Sequence, residues 1–342
     1  MIGFLDSIKN NYLATCSELL PFVDAQQALD FVFNSYTYQV PFWPSLPNRS
    51  FFEEAIVQFS EKLPGIQVDE AGKRVWVDTQ DLQFDALLEE CFNRCMALDV
   101  DYFAISPRSS STLQAMSQRL MGMNWQGWIK VPVPGPLSAS MKLCDEKGVP
   151  IFFHETLEEL FSLILPLTTA WLIKQFRANA KTKIIVDIDE SSVCLKEIDL
   201  TAEEIFEKIN CLIDVIHDNG ALCALRVSDN KDFVFAQNFP IDLLHFDIGG
   251  DIGRLGEAEK MLAPFLKKGG MPILGILPTD EAKLNKVDLK DYLFASLKSR
   301  QLLMKNGALI TTDGNSVGCS DASMHKMVKV SVDLAESLRL MF

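Results

Sequence analysis

Residues 183–190 read Lys-Ile-Ile-Val-Asp-Ile-Asp-Glu, a short run of β-branched residues that ends in three carboxylates. A run of this length and composition predicts a buried strand. The segment at 202–218 has the apolar spacing of a helix, and it is preceded at Thr201 by the capping-box sequence Thr-Ala-Glu-Glu. This box is a signal for the start of a helix. The sequence therefore predicts a strand followed by a helix.

The same order recurs along the chain, which is typical of repeated βα units rather than of a β-sandwich. The predicted strands are residues 13–16, 102–106, 128–133, 183–188, 222–227, 243–248, 272–277 and 308–311. The main predicted helices are residues 81–98, 110–121, 156–178, 202–218, 256–267, 289–305 and 321–340. Eight strands that each precede a helix are the number that closes a (β/α)8 TIM barrel of about 250 residues. The sequence thus predicts an α/β fold.

The chain is longer than such a barrel, and the surplus lies mainly in an N-terminal helix and hairpin insertion at about residues 40–80. Residues 51–61 are predicted to be helical. Residues 67–78 (QVDEAGKRVWVD) are predicted to form a hairpin that turns at 71–73. No Gly/Ser-rich linker divides the chain. A single barrel domain over residues 1–342 is therefore favoured over a two-domain doubly wound protein.

The charge balance excludes several function classes. The chain has 32 Lys and Arg against 46 Asp and Glu, a net charge of −14. A field of this sign repels phosphate backbones and anionic lipids, so we expect neither nucleic acid nor membrane as a partner. The longest apolar stretch, residues 160–173, is shorter than the roughly 20 residues that span a bilayer. It is predicted to be a buried helix of a soluble protein.

Eight scattered cysteines without a secretory signal indicate a reducing compartment, and a cytoplasmic location is expected. Cys91 and Cys95 are four residues apart on a predicted helix. This spacing suits either a metal ion or two buried thiols, and core packing is favoured.

In a barrel, the chemistry is expected at the carboxyl ends of the strands. Asp187, Asp189 and Glu190 end the fourth strand, and alternation places Asp187 and Asp189 on one face and Glu190 on the other. Carboxylates in this position can bind an ammonium ion or a divalent cation, or can serve as acid and base. The alternative interpretation is a solvated strand end without a function.

Polar residues also end the two following strands. Arg226 and Ser228 lie at the end of the fifth strand, where Arg226 either orients a carboxylate or phosphate or forms an ion pair with Asp247 or Asp189. His245, two residues before Asp247, is expected on the same side of its strand as a polar core group or an acid and base. The aromatic segment at 36–43 either lines a ligand cleft or covers an edge of the barrel.

Several segments together resemble the superfamily of cobalamin-independent methionine synthase and uroporphyrinogen decarboxylase, in particular its short single-barrel methionine-synthase-like proteins. The segments are VPFWPSLPNRSF at 40–51 with Gln58, VPGPLS at 133–138, DIDE at 187–190 and Gly-Ala-Leu at 220–222. The resemblance implies a TIM barrel and a methyltransferase.

In the methionine-synthase branch, zinc is bound by a His-x-Cys pair, a Glu and a Cys, and it keeps a substrate thiol deprotonated and nucleophilic. Here these positions fall on Arg226 and Ser228, on Asp247 and on Gly314, and Cys319 is reached only through a shifted loop. The family's Gly-Ser turn, which holds an amino-acid carboxylate, falls on Glu18 and Leu19. The resemblance therefore implies a degenerate zinc site, with no metal or with zinc on altered ligands only.

Three functions remain open at this point. The first is a methyltransferase-family barrel with altered or lost methyl transfer. The second is a non-catalytic subunit beside a corrinoid protein or another part of a methyl-transfer system, and the third is a metal-independent lyase of the decarboxylase type, whose Arg-rich N-terminal motifs are absent. Whether the chain is an enzyme is left open by these readings.

The first reading assigns two sets of site residues. Asp189, Glu190 and Asp247 are the predicted catalytic residues. Arg226, Ser228, Glu18 and Asp187 are the predicted substrate-binding residues. Since the strand ends are rich in carboxylates, the expected small-molecule substrate is an amine or an amino acid.

Overall fold

The computed structural model describes residues 8–177, 181–195, 200–227, 230–249, 251–285 and 288–342. The strands are β1 (Tyr12–Ala14), β2 (Ile66–Asp69), β3 (Arg74–Val77), β4 (Trp128–Pro134), β5 (Cys144–Asp145), β6 (Lys183–Asp189), β7 (Leu222–Arg226), β8 (Leu243–Asp247), β9 (Met271–Pro278) and β10 (Ala308–Asp313). The helices are α1 (Ala25–Tyr36), α2 (Ala55–Ser60), α3 (Phe84–Met96), α4 (Leu113–Gly122), α5 (Pro136–Lys142), α6 (Glu155–Phe176), α7 (Ala202–Asp218), α8 (Asn230–Ala236), α9 (Arg254–Met261), α10 (Ala263–Lys267), α11 (Glu281–Leu284), α12 (Leu289–Lys298) and α13 (Asp321–Arg339).

Seven strands form one all-parallel sheet in the order β1-β10-β9-β8-β7-β6-β4. The sheet is curled, because the segment 39–43 bridges its two edge strands. The Val40 N–H donates to the Ala14 carbonyl of β1 at 3.0 Å. On the other side, the Lys130 N–H of β4 donates to the Pro41 carbonyl at 2.8 Å, and the Trp43 N–H donates back to the Lys130 carbonyl at 3.0 Å.

The sheet separates two hydrophobic clusters. The smaller cluster lies inside the curl and contains alternate strand residues, among them Trp128, Ile185, Leu222, Leu243, Met271 and Leu309. The larger cluster packs the helices against the outer face, to which Ile184, Val186 and Ile188 of β6 belong. Because side chains alternate along a strand, residues two positions beyond those of the inner cluster also face inward. A curled parallel sheet with helices outside and an apolar interior fits a TIM-barrel-like fold.

The hairpin prediction is confirmed, since β2 pairs antiparallel with β3 from Ile66 opposite Val77 to Asp69 opposite Arg74. The predicted helix over 51–61 forms in two pieces, a 3-10 turn at Phe51–Glu53 followed by α2. The long apolar stretch is part of α6, as predicted. This is the one helix among the described residues that has the length and composition to span a membrane, and 72% of its most apolar window is buried in the protein.

The predicted strand at 102–106 is wrong. Tyr102 and Phe103 lie in turns, in which the N–H of Tyr102 donates to the Asp99 carbonyl and the N–H of Phe103 donates to the Val100 carbonyl, and residues 104–106 have no regular secondary structure. Phe103 and Ile105 are nevertheless buried in the larger cluster, so their apolar character reflects core packing and not strand pairing. The segment 39–43 lies beside β1 and β4 instead. Pro41 lacks the N–H of a regular ladder and Pro44 directly follows the segment 39–43, which is why this segment has no strand signal.

Candidate functional site

A layer of ionisable side chains lies directly above the enclosed apolar cluster. Lys130, Asp187 and His245 each stand two residues after a member of that cluster, and they are 0%, 4% and 2% exposed. His245 Nδ1 lies 2.8 Å from Asp187 Oδ2, and Lys130 Nζ lies 3.4 Å from the same oxygen. Burial by itself would raise the pKa of Asp187, but the neighbouring His245 and Lys130 lower it below its usual range. Asp187 is therefore held as a buried carboxylate.

Lys130 was missed by the sequence analysis. Its side chain is fully buried and reaches a second carboxylate, since Nζ lies 3.7 Å from Oε2 of Glu18, four residues after β1 ends. The one signal for it is a single cation in the apolar strand Trp-Ile-Lys-Val-Pro-Val-Pro. A buried lysine is rare unless it is paired, so a charge in such a strand indicates carboxylates facing it.

A second layer lies at the carboxyl ends of the strands. Arg226 of β7 donates to Asp247 of β8 through Nη2, and its Nη1 lies 3.6 Å from Asp189 Oδ2 of β6. Burial would lower the pKa of Arg226, but the two carboxylates raise it above its usual value. The neighbouring Gly275 of β9 leaves room for Asp247, because a Cβ at this glycine would overlap the Asp247 carboxylate. The structure thus brings Arg226, Asp189 and Asp247 together as an ion-paired group.

Four buried polar atoms of these two layers have no hydrogen-bond partner among the residues that the structure describes: Asp187 Oδ1, Arg226 Nε, His245 Nε2 and Asp247 Oδ1. His245 Nε2 and Asp247 Oδ1 are 3.7 Å apart. Unsatisfied buried polar atoms cost free energy, and a native protein retains few of them without a functional reason. Their concentration here marks the interior of the strand ends as the candidate site. Ser228 lies outside the described residues.

Glu190 points away from this group, as the alternation along β6 predicts. Its carboxylate is fully buried and accepts the Leu137 N–H at 2.9 Å and the Ser138 N–H at 2.7 Å, both at the start of α5. Gly135 makes the approach feasible, since a Cβ there would overlap the Glu190 carboxyl group. Burial raises the pKa of Glu190 to about 7. Glu190 therefore anchors α5 to the strand ends.

The raised pKa of Glu190 predicts a pH-dependent stability. Between pH 4.5 and 7 the folded protein retains a proton that the unfolded chain has lost, so this contribution is complete below pH 4.5 and is lost as the pH rises through 7. We expect the stability advantage of the wild type over Glu190→Gln to fall by about 2–3 kcal/mol between pH 5 and pH 7.5. Urea denaturation at both pH values measures it, with the exposed Glu89→Gln as a control. Parallel pH profiles for wild type and Glu190→Gln would contradict the assignment.

A pocket of about 150 Å³ opens beside these layers. Its lining includes Glu18, Trp43, Phe59, Pro134, Ser138 and Asp189. Two of the predicted site residues, Glu18 and Asp189, thus face the pocket, and each connects it to a buried cation, Lys130 or Arg226. Trp43 of the predicted aromatic segment forms part of the wall. Asp187 and Asp247 belong to the ion-paired layers behind it.

The residues that the structure describes at the family's zinc-ligand positions do not fit a zinc ion. A guanidinium donates hydrogen bonds and has no lone pair that could bind a metal. The Asp247 carboxylate already accepts a hydrogen bond from Arg226. Cys319 Sγ lies 3.5 Å from the Thr279 carbonyl oxygen, to which it donates. Over the described ranges, no group of three or more His, Cys, Asp and Glu side chains has the arrangement of a metal site.

The chain is similar to known proteins in structure but not detectably in sequence. No protein-family model matches the sequence, and no curated protein sequence matches it. Similar solved structures include a B12-independent methionine synthase from Shewanella sp. W3-18-1 (16% identity, 67% of each chain covered, TM-score 0.48). Another is a protein described as a vitamin-B12-independent methionine synthase from Listeria monocytogenes (12% identity, 83% of this chain and 77% of that chain, TM-score 0.45). These similarities are too low to assign a family.

Proposed function

We propose that this chain is a methionine-synthase-like (β/α)8 barrel that binds a small molecule at the carboxyl ends of its strands without a zinc–thiolate centre. In this proposal the segment 39–43 is the eighth strand, which the hydrogen bonds to Ala14 and Lys130 support. The barrel spans residues 1–342 as one domain, with the β2–β3 hairpin in its insertion. The motifs at 40–51, 133–138 and 187–190 supply the resemblance to the family.

The contact of Arg226 with Asp247 and Asp189 carries the proposal. A guanidinium and a zinc ion exclude each other, because both are cations that would need the same carboxylate. Without the metal, a substrate thiol has no partner that lowers its pKa. Methyl transfer by the zinc mechanism is therefore absent, and the methyltransferase activity is altered or lost.

The buried charges favour a ligand site over a purely structural role. Replacing a buried ion pair with apolar residues of similar size is often neutral or stabilising, so stability alone does not account for Lys130, Asp187 and His245. Buried, mutually perturbed ionisable groups in a cleft are typical of functional sites. In our proposal Glu18 and Asp189 contact the ligand, Arg226 and Asp247 position Asp189, and Glu190 fixes α5. The small molecule is cationic, since four carboxylates face two permanent cations.

Metal analysis and a transfer assay on the purified full chain test the proposal. We expect zinc well below one equivalent per chain after incubation with excess zinc and desalting. We also expect no methyl transfer from a methylated corrinoid to homocysteine, because the ligands and the activated thiol are missing. About one zinc per chain together with catalytic transfer would refute the proposal. An intact zinc-dependent enzyme assayed in parallel shows that the assay conditions support transfer.

A further inference from the structure

We infer that the pocket takes an organic ammonium ion that carries an apolar group and no carboxylate. The inference rests on the proposed strand-end site and specifies the class of its ligand. It does not depend on methyl transfer. Three features of the pocket support it: an excess of carboxylates, the prior occupation of the groups that would bind a carboxylate, and an aromatic wall.

The carboxylates on the pocket wall are only partly neutralised by the protein. Glu18 and Asp189 are 17% and 35% exposed, so both remain accessible from the pocket. Their cations are shared, since Lys130 also pairs with Asp187 at 3.4 Å and Arg226 also pairs with Asp247. Lys130 and Arg226 thus pair with four carboxylates, and the pocket wall adds Glu54 and the exposed Lys142, so that carboxylates remain in excess. A positively charged ligand between Glu18 and Asp189 would offset the excess negative charge.

The groups that would recognise a ligand carboxylate are already taken by the protein's own carboxylates. The Leu137 and Ser138 N–H groups at the start of α5 are bound to Glu190. The guanidinium of Arg226 is held by Asp247 and Asp189. Among the described lining residues the one cation is Lys142, which is exposed at the end of α5. A carboxylate in the pocket would therefore lie close to Glu18 and Asp189 without a buried partner.

The rest of the wall suits an apolar group next to a positive charge. Trp43 and Phe59 line the pocket, and the Trp43 indole N–H is already used in a 3.1 Å bond to Thr112 Oγ1. Aromatic faces attract cations and accept alkyl groups. Ser138 is 6% exposed, and its hydroxyl lies beside the Glu190 carboxylate with its oxygen lone pairs unused by other described residues. That hydroxyl can accept an N–H from an ammonium group.

Calorimetric titration with three compounds of the same branched alkyl chain tests the inference. Isoamylamine carries the ammonium alone, leucine carries the ammonium with a carboxylate, and isoamyl alcohol carries neither charge. We expect isoamylamine to bind at least about tenfold more tightly than leucine or isoamyl alcohol, since a hydrogen-bonded charge accounts for at least this ratio. Leucine binding as tightly as isoamylamine, or no binding of isoamylamine, overturns the inference.

Two single variants locate the site. Asp189→Asn and Glu18→Gln are each expected to weaken isoamylamine binding about tenfold while the weak binding of isoamyl alcohol stays unchanged. The exposed Glu89→Gln on α3 is the matched control, and thermal melting verifies that each variant is folded. Wild-type affinity in both Asp189→Asn and Glu18→Gln overturns the inference. If the protein binds no zinc and does not bind isoamylamine, this inference alone is refuted. Stoichiometric zinc together with catalytic methyl transfer refutes the proposed function.

Discussion

Lys130→Met is expected to lower the free energy of unfolding by about 3–5 kcal/mol, because it removes one partner of a buried pair and leaves the other charged. Methionine matches the length of the lysine stem, so little packing is lost. The variant, however, removes the ammonium charge that lies beside Asp187 and Glu18, and Asp187 is only 4% exposed. Urea denaturation followed by circular dichroism measures the loss.

The matched control is Lys142→Met, which removes an exposed lysine at the end of α5 and is expected to change stability by less than about 0.5 kcal/mol. The double variant Lys130→Met with Asp187→Asn should lose less unfolding free energy than the two single variants lose together, because the two residues are in contact. A decrease of less than about 1 kcal/mol in the unfolding free energy of Lys130→Met would contradict the dependence of Asp187 on Lys130.

Arg226→Met is expected to lower the free energy of unfolding by about 3 kcal/mol, the second large effect. The value lies at the lower end for buried pairs because the partners, Asp189 and Asp247, are 35% and 24% exposed. The variant leaves two neighbouring carboxylates without the cation between them, so they repel each other. The same denaturation experiment measures the loss.

Arg226→Lys separates the effect of charge from that of geometry. Lysine restores the positive charge, but its single ammonium group cannot reproduce the planar fork that contacts Asp247 and Asp189. We expect partial recovery, with stability between those of Arg226→Met and the wild type. Full stability of Arg226→Met would show that the two carboxylates are solvated without the arginine, and would remove the structural basis for the metal-free site.

Most strands were predictable because their signal is local. The runs at 183–188, 222–227 and 243–248 are short and mostly apolar, and each forms a strand of the sheet. The segment 39–43 was not predictable in this way. It contacts both edge strands, but Pro41 interrupts its hydrogen-bonding pattern. Conversely, residues 102–106 have the composition of a strand, because a loop that buries Phe103 and Ile105 in the core needs the same apolar side chains.

The candidate site likewise has residues that the sequence predicts and residues that only the structure shows. Asp187, Asp189, Arg226 and Asp247 were predicted as site residues because each lies at or near the end of a predicted strand. Lys130 lies in the middle of its strand, and its role depends on Asp187, which is 57 residues away in sequence. Which carboxylate pairs with which cation follows from strand register, and a single sequence does not specify that register.

The sequence by itself determined most of the strands and helices and the faces on which Asp189 and Glu190 lie, because periodicity and alternation are properties of neighbouring residues. The tertiary structure alone decided that Glu190 binds the start of α5 and that Arg226 lies between Asp189 and Asp247. It also decided that Lys130 and His245 meet at Asp187. These contacts join strands far apart in the chain, so they depend on the curl and register of the whole sheet.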